Sequence, residues 1–118
     1  MNPEKLTTVK VEVTERLIKT GTVNDCVDCP VALAVRKVVS KTVDVNVLHD
    51  DITLTLILGE DDDFQQISTP ARVAKFIEKF DERDPTLGLV LTELPPLPKP
   101  FSFNLRIQNK FLKPSLRK

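Results

Sequence analysis

Near the start of the chain, Val9, Val11 and Val13 alternate with Lys10 and Glu12. A period of two puts the valines on one face of an extended backbone, so Leu6 to Val13 reads as a half-buried strand. Thr14 follows as the cap of a short helix, Glu15 to Thr20, with Gly21 as its left-handed terminator. A polar loop from Thr22 to Asp28 leads into Cys29-Pro30. Proline suits a first helical position, where its missing N–H costs no hydrogen bond. Val31 to Ser40 then reads as a helix with Val31, Ala34, Val35 and Val38 on one face.

The alternation of two returns at Val43, Val45 and Val47, breaks at His49-Asp50-Asp51, and resumes at Ile52, Leu54, Leu56 and Leu58. With threonines between several of these, the stretch predicts a hairpin. A charged loop, Gly59 to Asp63, precedes an extended piece at Phe64 to Ile67. Thr69-Pro70 then opens a helix, Thr69 as cap and Pro70 at the first position. Val73, Phe76, Ile77 and Phe80 stand at i, i+3, i+4 and i+7, one helical stripe, and we expect it to pack on the strand bearing Ile52, Leu54 and Leu56. Asp84 to Pro100 is a proline-rich connection in which Leu87 to Leu94 can add a strand. Phe101, Phe103, Leu105 and Ile107 alternate as the final strand, and Asn109 to Lys118 reads as a basic, frayed end.

The coarse order, strand–helix–strand–strand–helix–strand, predicts an α+β two-layer sandwich: an antiparallel sheet with helices on one face, as in ferredoxin-like folds. At 118 residues one domain is expected, spanning 1–108 with an insertion at about 85–99 and a flexible tail at 109–118.

Charge changes this picture little. Seventeen basic residues balance 17 acidic ones, so no net field draws in nucleic acid or an anionic membrane, although a local patch is compatible with that balance. Tyr and Trp are absent, which removes the commonest interface anchors and base-stacking platforms. No apolar run approaches the ~20 residues of a membrane span. The start, Met1-Asn2-Pro3-Glu4-Lys5, does not lead into an apolar signal core. A cytoplasmic setting is therefore expected, where two cysteines are more at home as thiols or ligands than as a disulfide.

Those cysteines, in Cys26-Val27-Asp28-Cys29-Pro30, are the candidate site. A thiol at a helix start can be shifted toward thiolate by free amides and the helix dipole, which is the basis of dithiol redox motifs. The pair can equally be half of a zinc site, but a tetrahedral centre needs two further ligands, and the chain has one histidine and no third cysteine. The third reading is structural: both sulfurs tucked against the following helix as small apolar groups. Valines and alanines flank them, with no cation nearby in sequence, which favours that reading.

Other candidates are weaker. His49 beside Asp50 and Asp51 has no nucleophile next to it in sequence. Glu60 to Asp63 offers carboxylates but lacks the spaced Asp-x-Asp-x-Asp-Gly pattern of a calcium loop. The threonine-rich strand Ile52 to Leu58 carries no aromatic residue, so a base-stacking RNA module is excluded. No catalytic residue, cofactor loop or complete metal set is expected.

The run Asp25-Cys26-Val27-Asp28-Cys29-Pro30-Val31-Ala32-Leu33-Ala34 resembles a group of small uncharacterised proteins of bacteria and their phages. Phe76-Ile77-Glu78-Lys79-Phe80-Asp81 and Pro100-Phe101-Ser102-Phe103-Asn104-Leu105 are similar to two further signatures of that group. The resemblance spans roughly Val9 to Leu105 and implies no activity; Pro85 to Lys99 and the end beyond Leu105 are additions to its pattern. The expected role is a small non-enzymatic accessory or binding protein of a phage or mobile element, with an unidentified protein partner. The alternatives are a thiol-dependent redox protein acting through Cys26 and Cys29, and a homo-oligomeric structural module.

Overall fold

The computed structural model describes residues 5–23, 25–57, 63–83 and 97–117. They form an α+β sandwich of helices and antiparallel sheets: β1 (Leu6–Val13), α1 (Glu15–Thr20), α2 (Pro30–Arg36), β2 (Val43–Val47), β3 (Asp51–Leu56), β4 (Phe64–Ser68), α3 (Ala71–Asp81) and β5 (Phe101–Gln108). Among the described residues no helix is long and apolar enough to cross a membrane. The expected strand within Leu87 to Leu94, and most of the loop Gly59 to Asp63, lie outside the described residues.

The alternation seen in sequence is the alternation seen in burial. In β1 every second side chain from Thr7 to Val13 is buried, and in β5 so are Phe103, Leu105 and Ile107. These two strands pair antiparallel, with Val9 opposite Leu105 and Val11 opposite Phe103. Val43, Val45 and Val47 of β2 face inward beside Ile52 and Leu54 of β3.

Two features differ from the expected single sheet. The extended piece at Phe64 is a full strand, β4, paired along β3. And β1 pairs with β5 rather than with the hairpin, so there are two sheets, β1–β5 and β2–β3–β4. Gln65 bridges the seam between them. Gln65 of β4 donates from Nε2 to the carbonyl of Arg106 (3.1 Å) and accepts from the amide of Gln108 (2.9 Å). A single carboxamide thus satisfies both a donor and an acceptor on the backbone edge of β5.

All four residues of the α3 stripe are buried. Fully burying an apolar side chain contributes about 1.5–3 kcal/mol, so this stripe is a large fraction of what holds α3 in place. Its aromatic contacts run to β5: Phe76 lies 4.8 Å from Phe101 between ring centroids, and Phe101 lies 5.8 Å from Phe103.

Helix starts follow side-chain chemistry in two cases of three. Thr14 caps α1, its hydroxyl accepting from Leu17 N at 3.3 Å. Cys29 caps α2, with Pro30 in the first turn. Thr69 does not cap α3; its hydroxyl donates instead to the carbonyl of Leu48 at 3.0 Å, tying this junction to the β2–β3 turn. Gly21 is not left-handed either. Its φ of −71° is open to any residue. What requires glycine is proximity, since a Cβ there would stand 2.6 Å from Cδ and 2.8 Å from N of Pro30.

The end of the chain is the largest departure. α2 stops at Arg36 because Val38 to Ser40 turn to pair with the C-terminal segment: Val39 bridges Leu112, Ser40 N donates to Phe111 O, and Lys113 N donates to Val38 O. Phe111 and Leu112 are fully buried. Within 109–117, expected as a flexible basic tail, Phe111 and Leu112 belong to the core cluster and Leu116 packs against it.

Candidate functional site

The Cys26–Cys29 loop is held from three sides. The Asp25 carboxylate accepts from the amides of Val27 and Asp28, both at 2.9 Å, an Asx turn that folds the loop on itself. Arg36 reaches back from the end of α2 to Val27 O (2.6 Å) and the Asp28 carboxylate (2.8 Å). Cys26 O accepts from Val47 N at 2.7 Å, fastening the loop to the edge of β2.

Within this frame the two thiols have different surroundings. Both are free; Cys26 is half-buried and Cys29 buried. Cys29 Sγ accepts from the amide of Ala32 at 3.4 Å, doing the work of a helix cap. Burial pushes the Cys29 thiol above its ordinary value. The amides of Ala32 and Val31 pull it down, but Asp81 and Asp25 add to the upward push. Desolvation outweighs the helix start here, because the favourable amides are few and the neighbouring charges are negative. Cys29 therefore caps α2 through a thiol biased toward its neutral form.

Cys26 and Cys29 do share a cleft of about 340 Å³ with Asp25, His49, Glu78 and Asp81. His49, at the break between the two hairpin strands, is half exposed, with Nε2 3.6 Å from the Glu78 carboxylate and Nδ1 3.4 Å from Asp50. Among the described residues, no three histidine, cysteine or carboxylate side chains are grouped so as to hold a metal ion. Proximity in a cleft is not convergence on a point, so these donors do not make a ligand set.

A second concavity was not singled out by motif. A groove of about 640 Å³ runs between α3 and the segment leading into β5. Its floor is apolar: Phe76, Leu97, Pro98 and Phe101. Its walls carry Arg72, Lys75, Lys79 and Lys99, with Glu82 at one end. The guanidinium of Arg72 sits 5.8 Å from the centroid of Phe101. Among the described residues, no carboxylate pairs with any of the four cations. Arg72, Lys75 and Lys79 are spaced i, i+3 and i+7, so they form a stripe of cations alongside the buried apolar stripe of the same helix. That spacing was present in the sequence; its juxtaposition with Lys99 and Phe101 needed the fold.

The rings of this groove are already engaged. Phe76 is buried, stacks on Phe80 and meets Phe101 at a tilt of 41°, while Phe101 is covered by Arg72 on one side. Neither Phe76 nor Phe101 is thus a bare platform for a nucleobase.

Comparison with protein-family models, with curated proteins and with solved structures finds no match.

Proposed function

We propose that this protein is a non-enzymatic binding module, an accessory protein in the setting of the bacterial and phage proteins it resembles. Its α3–β5 groove takes an acidic segment with apolar anchors from a protein partner. The observation that carries this reading is four cations that have no carboxylate partner among the described residues, around an apolar floor. Uncompensated charge at the rim raises the encounter rate and selects the sign of the ligand, and the floor supplies the burial that holds it. A nucleic acid ligand has less support, because its phosphates suit the rim but its bases find no free ring.

The dithiol alternative is less supported by the same geometry. A dithiol cycle needs an accessible thiolate, whereas Cys29 is buried, used as a cap and biased toward the neutral thiol.

The test is an NMR titration of the protein with a short peptide of aspartates and leucines, beside a peptide with asparagines in place of the aspartates. Shifts confined to α3 and residues 97–101, lost for the asparagine peptide and for Lys75→Glu/Lys79→Glu, support the proposal. Equal binding of both peptides overturns it, as does tighter binding of single-stranded DNA at the same ionic strength.

A further inference from the structure

The two walls of the α3–β5 groove differ in what they offer a ligand's backbone. One wall is the segment 97–100 leading into β5. Asn109 N donates to Lys5 O, and β1 and β5 pair in one unbroken register, so the odd-numbered residues of β5 turn their N–H and C=O toward β1. The even-numbered ones turn outward, as Gln65 shows by bonding Arg106 O and Gln108 N. Carried back along the chain, that alternation gives the outward positions to Pro98, which lines the groove, and Pro100. Proline has no N–H to donate. Independently of the twist of this segment, two of its four residues lack a donor. An extended segment laid here would leave its carbonyls without partners on this wall, and strand addition draws its affinity from such main-chain bonds.

The other wall is α3, which presents its cations at helical spacing. Arg72, Lys75 and Lys79 follow one another at steps of three and four residues on the groove side of the helix. At 1.5 Å per residue they cover about 10.5 Å. A second helix lying along α3 repeats the same steps, so three of its carboxylates meet the three cations over that length. An extended segment repeats its side chains on one face every ~6.6 Å, so it brings only two. A helix also bonds its own backbone and asks nothing of the proline wall. Lys99, on the wall opposite α3, is placed to meet a further carboxylate. Phe76 is already buried in the core, whereas Leu97 is 37% exposed, so Leu97 is the large apolar side chain that a ligand's apolar stripe would cover.

We infer that the ligand of this groove is an acidic amphipathic helix of a protein partner, packed along α3 with its carboxylates over Arg72, Lys75 and Lys79 and its apolar stripe on the floor. This rests on the reading of the groove as a site for acidic segments, and adds the conformation and the spacing that the segment carries. The cations select the sign of the ligand, their steps of three and four select its period, and the prolines remove the competing extended mode.

The experiment compares two peptides of one composition, glutamate, leucine and alanine, each about 15 residues long, a length at which an isolated helix is marginally stable. In one, glutamates stand at i, i+3 and i+7 beside a leucine stripe of the same period; in the other, glutamate and leucine alternate. Each is titrated into the full chain, with NMR shifts of α3 and residues 97–101 reporting the site and circular dichroism reporting the helicity of the peptide. The helical pattern is expected to bind at least about tenfold tighter and to gain helicity as it binds. A proline at its centre is expected to abolish that advantage. Lys75→Glu/Lys79→Glu is expected to lose this peptide and to bind instead the same peptide with lysines for glutamates, which also shows that the variant is folded. An alternating peptide that binds as tightly, or a proline version that loses nothing, overturns the helix while the groove keeps its acidic ligand. A charge-reversed chain that still holds the glutamate peptide overturns it too. If neither peptide moves α3 or residues 97–101, both readings fall.

Discussion

Replacing Gly21 by alanine tests how α1 is docked onto the loop that carries the cysteines. Two effects of opposite sign compete. Gly21 has φ −71° and ψ 157°, an extended conformation that alanine adopts freely. Where the native backbone suits it, Gly→Ala stabilises by about 0.4–1 kcal/mol, since the unfolded chain loses freedom. Against this, the new Cβ would stand 2.6 Å from Cδ, 2.7 Å from Cγ and 2.8 Å from N of Pro30. Those atoms are a rigid ring and backbone, locked in the first turn of α2, so none can swing aside as a long side chain would. Overpacking of this kind costs typically about 1–3 kcal/mol. The steric term wins, and Gly21→Ala should be destabilising by about 1–2 kcal/mol after the entropic gain is subtracted. Relief would come by moving α1 away from α2, at the expense of the hydrogen bond from Thr22 N to Asp28 O (2.9 Å). Urea denaturation followed by circular dichroism measures the change, with an unchanged slope expected if the denatured state is unaffected. A variant as stable as the parent, or more so, would refute the packing of Gly21 against Pro30.

Phe76→Ala removes a buried ring in contact with Phe80 and Phe101, and should cost about 3–5 kcal/mol in the same assay; a loss below about 1 kcal/mol would mean that this face of α3 is not in the core. Gln65→Ala removes the bonds to the Arg106 carbonyl and the Gln108 amide, which water can partly replace at this exposed seam, so a loss of about 0.5–1.5 kcal/mol is expected, and a neutral result would show that the two sheets do not depend on that side chain. Cys26 should alkylate well before Cys29 in folded protein, read by mass spectrometry, and the rate at Cys29 should still be rising above the ~8.5 of a free thiol; a fast-reacting Cys29 at neutral pH would restore the redox reading. Because the Cys29 pKa is raised on folding, the unfolded chain gives up that proton first as pH rises. Stability should therefore fall above about pH 8.5, and the fall should be smaller in Cys29→Ala.

What the sequence made legible was periodicity tied to a single face. The stripe Val73, Phe76, Ile77 and Phe80 and the alternations around Val11, Val45, Leu54 and Leu105 all reappear as buried faces. In each, the neighbours that decide the outcome lie within a turn or a strand of one another. What was not legible depends on partners far along the chain. Gly21 answers to Pro30, Thr69 to Leu48, and Val39 to Leu112. Phe111 and Leu112 are only two adjacent apolar residues among Lys110, Lys113 and Pro114, too short a run to show a period. Yet both are fully buried, because the backbone of Val38 to Ser40 leaves α2 to receive them. The division into two sheets hangs on whether β5 pairs with β4 by backbone or through Gln65, a distinction that hydropathy cannot carry. The cysteine motif was readable as a spacing, with apolar flanks that favoured a structural role; a helix start alone pulls a thiol toward thiolate, and burial beside Asp25 and Asp81 pushes Cys29 the other way.

The same distinction explains why a balanced composition concealed a charged groove. Net charge is a sum over the whole chain, whereas a ligand in water at physiological salt senses charges within a Debye length of about 8 Å. Arg72, Lys75, Lys79 and Lys99 line one groove. The acidic run that offsets them in the sum ends at Asp63, beyond the far end of β5 and about 23 Å away along an extended strand. At nearly three Debye lengths the two regions are screened from each other and do not cancel. A chain with no net field can thus carry a locally basic groove that a ligand senses without the charges farther along the chain.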